Sequence, residues 1–186
     1  MIREQLRRVL LGISKQVAKN HLFEQPNERP LQEPIFALNS EQGHPIDLPQ
    51  IQLADSHQIE ESLLQFSVIH HWATWCSSCV EEMPILLQLQ EKIGAQKMLG
   101  IVWDLFQGGQ PQMACQEVDD MLKAHQLLFA QKVVTDSPER FFAQMDMQEQ
   151  LVPQTFVFSP FGELLFHQVG TLEQQQIEEI ASLIQQ

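Results

Sequence analysis

Apolar residues at Ile2, Leu6, Val9, Leu10, Ile13 and Val17 recur at spacings of three and four, which places them on one face of a helix over residues 1–20. His21–Gln32 carries Pro26 and Pro30, which interrupt helical pairing, and reads as a linker. Two short extended runs follow, Pro34–Leu38 and Pro45–Leu48, with Asn39-Ser40-Glu41-Gln42-Gly43 between them as a hairpin turn.

Beyond the hairpin the pattern switches between strand and helix. Phe66–Trp72 is apolar and partly β-branched, the composition of a buried strand. Ser78–Ile93 predicts a helix that presents Met83, Leu86, Leu87 and Leu89, with Pro84 as a kink. Met98–Trp103 predicts a strand, Met113–His125 a helix, and Leu128–Val134 a short strand. Ser137-Pro138-Glu139 opens a brief helix through Met145. Thr155–Phe158 and Leu164–Gln168 predict a strand pair joined by Ser159-Pro160-Phe161-Gly162. Thr171–Ile184 closes the chain as a helix with Leu172, Ile177, Ile180 and Ile184 inward. This succession predicts an α/β fold, a central sheet with helices on both faces. The expected organisation is a basic amphipathic helix at 1–20, a linker at 21–32 and one domain over 33–186.

Charge sharpens that division. Residues 1–20 hold five basic side chains against Glu4, a net of +4, and the rest of the 186-residue chain carries −17 of the total −13. The basic helix predicts contact with a partner, its own domain or an anionic membrane surface. The strongly acidic remainder argues against nucleic acid, whose phosphates need clustered Lys and Arg. Val9–Ile13 is shorter than the roughly 7–15 apolar residues of an export signal, so the residues alone point to the cytoplasm.

Three cysteines are too few to staple a chain of this size, and two of them stand three apart. Cys76-Ser77-Ser78-Cys79 falls where the buried strand passes into a helix. The unpaired N–H groups and the positive dipole end at such a junction favour a thiolate over a thiol. Cys-x-x-Cys thiols so placed titrate at roughly 3.5–7.5 instead of about 8.5. The thiolate is the nucleophile of disulfide exchange. Cys76 at the helix mouth is the candidate attacking thiol, and Cys79, one turn in, the candidate resolving one. Half of a zinc site would need a second pair or matching histidines, and Cys115 on a predicted amphipathic helix supplies neither. Val152-Pro153-Gln154-Thr155 precedes a strand, where proline fits because it donates nothing to the ladder. Pro153 is then either a plain strand-starting residue or the site of a cis peptide.

Trp72-Ala73-Thr74-Trp75-Cys76-x-x-Cys79, with Glu82 and Pro84 after it, resembles the active-site motif of the thioredoxin superfamily and, within it, the TlpA-like branch that includes reductases of cytochrome c maturation. Val152–Phe158, Gly162 and Gly170 resemble the cis-proline strand and terminal segment of that family. The likeness spans about 150 residues, from the Pro34–Leu48 hairpin to the last helix. It implies a thioredoxin-like fold with an N-terminal hairpin extension, and exchange with protein thiols and disulfides through a redox-active Cys76–Cys79 pair, without metal or other cofactor. It also implies that Trp75 shields the sulfurs, that a cis Pro153 borders the disulfide, and that Val152 pairs with substrate backbone. Glu82 matches an acidic position of the family, with a helix-dipole role as the alternative.

The sequence departs from that pattern in three places. Ser77-Ser78 replaces the usual proline- or glycine-containing dipeptide that tunes the redox potential. His70 stands where thioredoxins carry a buried Asp, and reads either as a partly buried strand histidine bonded to backbone or as a proton relay to Cys79. His71 belongs on the opposite face, in a structural role. The third departure is that only the basic helix stands where the family carries a signal or anchor, although resemblance implies a site beside a membrane outside the cytoplasm. Two other functions fit the same residues less fully. A peroxiredoxin-like peroxidase would need Pro-x-x-x-Thr-x-x-Cys, which is missing. A copper carrier could use Cys76, Cys79 and His167, but the relatives that carry copper space their cysteines more widely.

Overall fold

The structure, a computed structural model, describes residues 51–137 and 152–185. The expected N-terminal helix, linker and hairpin, and the brief helix predicted over Ser137–Met145 save for Ser137 itself, lie outside the described residues. The elements are β1 (Ile51–Ala54), α1 (Ser56–Ser62), β2 (Val68–Trp72), α2 (Ser77–Ile93), β3 (Met98–Val102), α3 (Pro111–Ala124), β4 (Ala130–Val134), β5 (Gln154–Phe158), β6 (Leu164–Val169) and α4 (Gln174–Gln185).

The six strands form one mixed sheet in the order β1-β4-β3-β2-β5-β6. β1, β4, β3 and β2 run parallel, and β5 and β6 add antiparallel. β2, β3 and β5 are buried along their whole length and show no alternation of apolar with polar positions, with His70-His71 and Gln154-Thr155 as buried polar pairs in β2 and β5. β6 is an edge strand and alternates partly buried with exposed positions over its second half.

Helices flank the sheet. α2 buries Cys79, Met83, Leu86, Leu89 and Ile93 at helical spacing and packs with α4, which buries Ile177, Ile180 and Ala181. Lys92 Nζ and Glu178 Oε1 close the outer side of that contact at 2.6 Å. Gly94, at φ 91°, ends α2 in a conformation that costs a side chain but not glycine. α3 begins with Pro111, whose fixed φ suits a first helical position, and lies against β1.

β1 and α1 were not expected from the sequence, which leaves residues 49–65 unassigned. Ile51-Gln52-Leu53-Ala54 is too short to show a period, and Gln52 and Leu53 are exposed. Pairing with β4 from Ile51↔Gln131 to Ala54↔Val134 makes it a strand. Tertiary context outweighs a weak local signal here.

Two adjacent interior features hold the centre of the sheet. Trp72 Nε1 donates to Gln131 Oε1 at 2.9 Å, and Gln131 Nε2 donates to the Phe129 carbonyl at 3.1 Å. Gly100, which pairs with both His70 and Gln131, makes room for that amide: a Cβ there would lie 1.8 Å from Gln131 Oε1. Trp72 is thereby fixed one residue before the loop that carries the cysteines.

Candidate active site

The parallel strands β2 and β3 end on the same edge of the sheet, and their loops meet there. Trp103 N–H donates to the Trp72 carbonyl at 2.9 Å. Asp104, next in the chain, accepts from both the Thr74 N–H (2.8 Å) and the Thr74 hydroxyl (2.6 Å). This carboxylate clamps the Ala73-Thr74-Trp75 loop that leads into Cys76. Burial pushes the Asp104 carboxyl above its usual range, the two Thr74 hydrogen bonds oppose that, and nearby Glu117 adds to the rise.

Cys76 and Cys79 form a disulfide, with Cα atoms 5.2 Å apart. Cys76 is the N-cap of α2: its backbone is extended, and its sulfur accepts from the Cys79 N–H at 3.2 Å. Sulfur here takes the place of the usual cap oxygen. The Ser78 hydroxyl lies 3.4 Å from the same sulfur, within reach to donate. Cys79 is fully buried, whereas Cys76 retains 8% of its surface, so the sulfur at the helix mouth is the accessible one. Trp75 is 44% exposed beside it, and Ser77 is exposed at the first helical position.

The Val152–Pro153 peptide is cis. Val152 directs its carbonyl oxygen to within 3.8 Å of Cys76 Sγ, while the Pro153 carbonyl accepts from the Gly170 N–H at 2.9 Å. The segment that leads into β5 thus borders the disulfide.

His70 is fully buried, not partly so, and its partner is a side chain and not backbone. The β2–β5 register sets it opposite Thr155, and His70 Nδ1 lies 2.9 Å from Thr155 Oγ1. Its Nε2 faces Glu82 Oε2 at 3.6 Å. Desolvation, then the charge of neighbouring His71, lowers the His70 pKa to about 3, so the ring is neutral. Glu82 corrects the helix-dipole reading. It stands beyond the first turn of α2, 2% exposed, one turn after Cys79 on the same buried face. Its Oε1 accepts from the Leu172 N–H at 2.5 Å, just ahead of α4. Desolvation raises its pKa to about 7 despite that hydrogen bond.

His71 points to the other face, where its Nδ1 accepts from Trp103 Nε1 at 3.1 Å and its ring stacks on Trp103. His167 stacks on Phe156 at 4.2 Å between ring centres and holds Gln154 Oε1 at 3.2 Å. It belongs to this second face and not to the disulfide. Among the described residues no three His, Cys, Asp or Glu side chains converge as a metal site. Cys115 is half-buried on α3, its thiol pushed up by burial and by Asp104.

Sequence reasoning missed Thr74, Asp104 and Thr155. Asp104 carried a signal, an acidic residue just past a buried parallel strand at the sheet edge where sites gather. Thr155 became visible only through the strand register.

No protein-family model matches the sequence. No curated protein matches it either. Solved structures do. A DsbF homologue from Corynebacterium diphtheriae is 18% identical, with a TM-score of 0.50 over 68% of this chain and 76% of that one. A thiol:disulfide interchange protein of the thioredoxin family from Chlorobium tepidum TLS is 20% identical, with a TM-score of 0.48 over 85% and 98%. A thio-disulfide isomerase from Thermus thermophilus is 22% identical, with a TM-score of 0.47 over 81% and 92%. The fold is thioredoxin-like.

Proposed function

We propose that this protein is a thiol:disulfide oxidoreductase that acts on protein cysteines, of the TlpA-like kind its motif resembles. The observation that carries the reading is the Cys76–Cys79 disulfide capping α2, with one sulfur accessible, one buried, and the Val152 carbonyl alongside. In the dithiol form, Cys76 thiolate attacks one sulfur of a substrate disulfide and forms a mixed disulfide, releasing the first substrate thiolate. Cys79 then gives up its proton and attacks Cys76 Sγ. The mixed disulfide breaks, the second substrate thiolate leaves, and Cys76–Cys79 is oxidised. The same steps in reverse oxidise a substrate dithiol.

Each site residue has a task in this scheme. The Cys79 N–H, the Ser78 hydroxyl and the α2 dipole stabilise the Cys76 thiolate. Trp75 covers the attacking sulfur, and Val152 with Pro153 offers backbone to an extended substrate segment. Glu82 and His70 hold the proton that Cys79 must shed. With its Nδ1–H assigned to the Thr155 contact, His70 presents Nε2 as an acceptor to Glu82, which takes the Cys79 proton in its carboxylate form and holds it as an acid near neutral pH.

Turnover of insulin disulfides with dithiothreitol as reductant tests the reading. The protein should accelerate it, and Cys76→Ser should abolish the acceleration. Equal rates for the two proteins would refute the assignment.

A further inference from the structure

A groove of about 300 Å³ opens one residue from Cys76. Trp75 and Met113, the latter 61% exposed, form its apolar walls, and the Gly108–Gly109 turn forms part of its rim. Both glycines have positive φ, and a Cβ on either would meet nothing within 4 Å, so this rim is bare backbone.

Among the described residues the charged members of the lining are Asp104 and Glu117, and no basic residue joins them. Asp104 accepts two hydrogen bonds from Thr74, as an ionised carboxylate does, and Glu117 is exposed on α3. The first turn of α3 also borders the groove and contributes a positive end of about half a charge. Two carboxylates outweigh it. Water screens the exposed Glu117 but reaches the buried Asp104 little.

We propose that this groove selects the substrate, taking a lysine or arginine side chain within two residues of the cysteine that reacts with Cys76. The stem of such a side chain is apolar and would lie along Trp75 and Met113, while its cation would sit between Asp104 and Glu117. The acidic surface of the chain as a whole, at net −13, draws the same partners from further away. This substrate class rests on the exchange reading above.

The test uses the full-length reduced protein and three matched peptides, each with one cysteine in a mixed disulfide with mercaptoethanol. The cysteine is flanked on both sides by Lys, Ala or Glu. Single-turnover rates at low salt are expected to fall in that order, with the Lys peptide about fivefold faster than the Glu peptide, the scale of one partly screened ion pair. Half-molar salt should compress the ratio, Glu117→Gln should reduce it, and Glu117→Lys should invert it. Equal rates for the three peptides, or a preference indifferent to both Glu117 variants, would overturn the groove assignment while leaving exchange intact. If the wild type attacks none of the peptides and no insulin disulfide either, the exchange reading itself fails, and this proposal with it.

Discussion

His70 Nε2 and Glu82 Oε2 face each other at 3.6 Å in the interior, and neither atom has a hydrogen-bond partner among the described residues. An unpartnered buried polar atom costs roughly 1–3 kcal/mol, so two that face one another mark a position kept for something other than stability. A carboxyl of pKa about 7, one helical turn from the resolving cysteine, suits proton exchange at the pH where thiols react.

Glu82→Gln should therefore slow resolution and spare attack. The amide keeps an oxygen for the Leu172 N–H but has no exchangeable acid proton. Resolution of a preformed mixed disulfide on Cys76 should fall on the order of a hundredfold, and its inflection near pH 7 should disappear. Formation of the mixed disulfide should change little. Quenched-flow mass spectrometry separates the two steps, and an unchanged resolution profile would remove Glu82 from the mechanism.

The same groups shape stability against pH. His70 and His71 are both lowered from 6.5 to about 3 by burial, so between those values the unfolded chain binds two protons that the folded chain refuses. Stability then rises with pH across that window. Glu82, raised from 4.5 to about 7, acts in the other direction: the folded state holds a proton the unfolded chain has lost, and stability falls as pH rises from 4.5 to 7. The two histidines outweigh the one carboxyl until the opposing slopes cancel at about pH 7, so stability rises toward that pH and levels off there. Urea midpoints from pH 5 to 8 should show that rise and plateau, and Glu82→Gln should steepen the rise between pH 5 and 7.

Gly100 should tolerate no side chain. A Cβ 1.8 Å from Gln131 Oε1 would push a buried amide away from the Trp72 indole. Gly100→Ala should cost about 1–3 kcal/mol by equilibrium denaturation. In a Gln131→Ala background the added cost should shrink, because the two residues occupy one space. Additive costs would show that the close approach is not what the glycine serves.

Much of this site was legible because its chemistry is local in sequence. A strand, a Cys-x-x-Cys pair and the helix after it are contiguous, and capping physics alone puts Cys76 at the helix mouth. The β2, α2, β3 and β5 segments were readable because burial on both faces, or on one helix face, leaves dense apolar runs. What escaped depends on register and distance along the chain. Thr155 meets His70 across 85 residues, and Leu172 meets Glu82 across 90. Gln131 carries no signal of its own, because its place opposite Gly100 depends on the β3–β4 register. Glu82 offered a helix-dipole reading because its sequence neighbours Glu81 and Val80 do not reveal that it lies on the buried side of α2.

Cys76 attacks and Cys79 resolves, a division of labour that a trapped intermediate reads out. Reduced Cys79→Ser protein is mixed with a disulfide-bonded protein substrate, quenched with acid and analysed by intact mass and peptide mapping. Cys79→Ser should form a stable one-to-one mixed disulfide through Cys76, which the wild type should resolve within the mixing time. Cys76→Ser should form no such adduct. An adduct mapped to Cys79 or Cys115, or one that Cys79→Ser resolves as fast as the wild type, would contradict that division of labour.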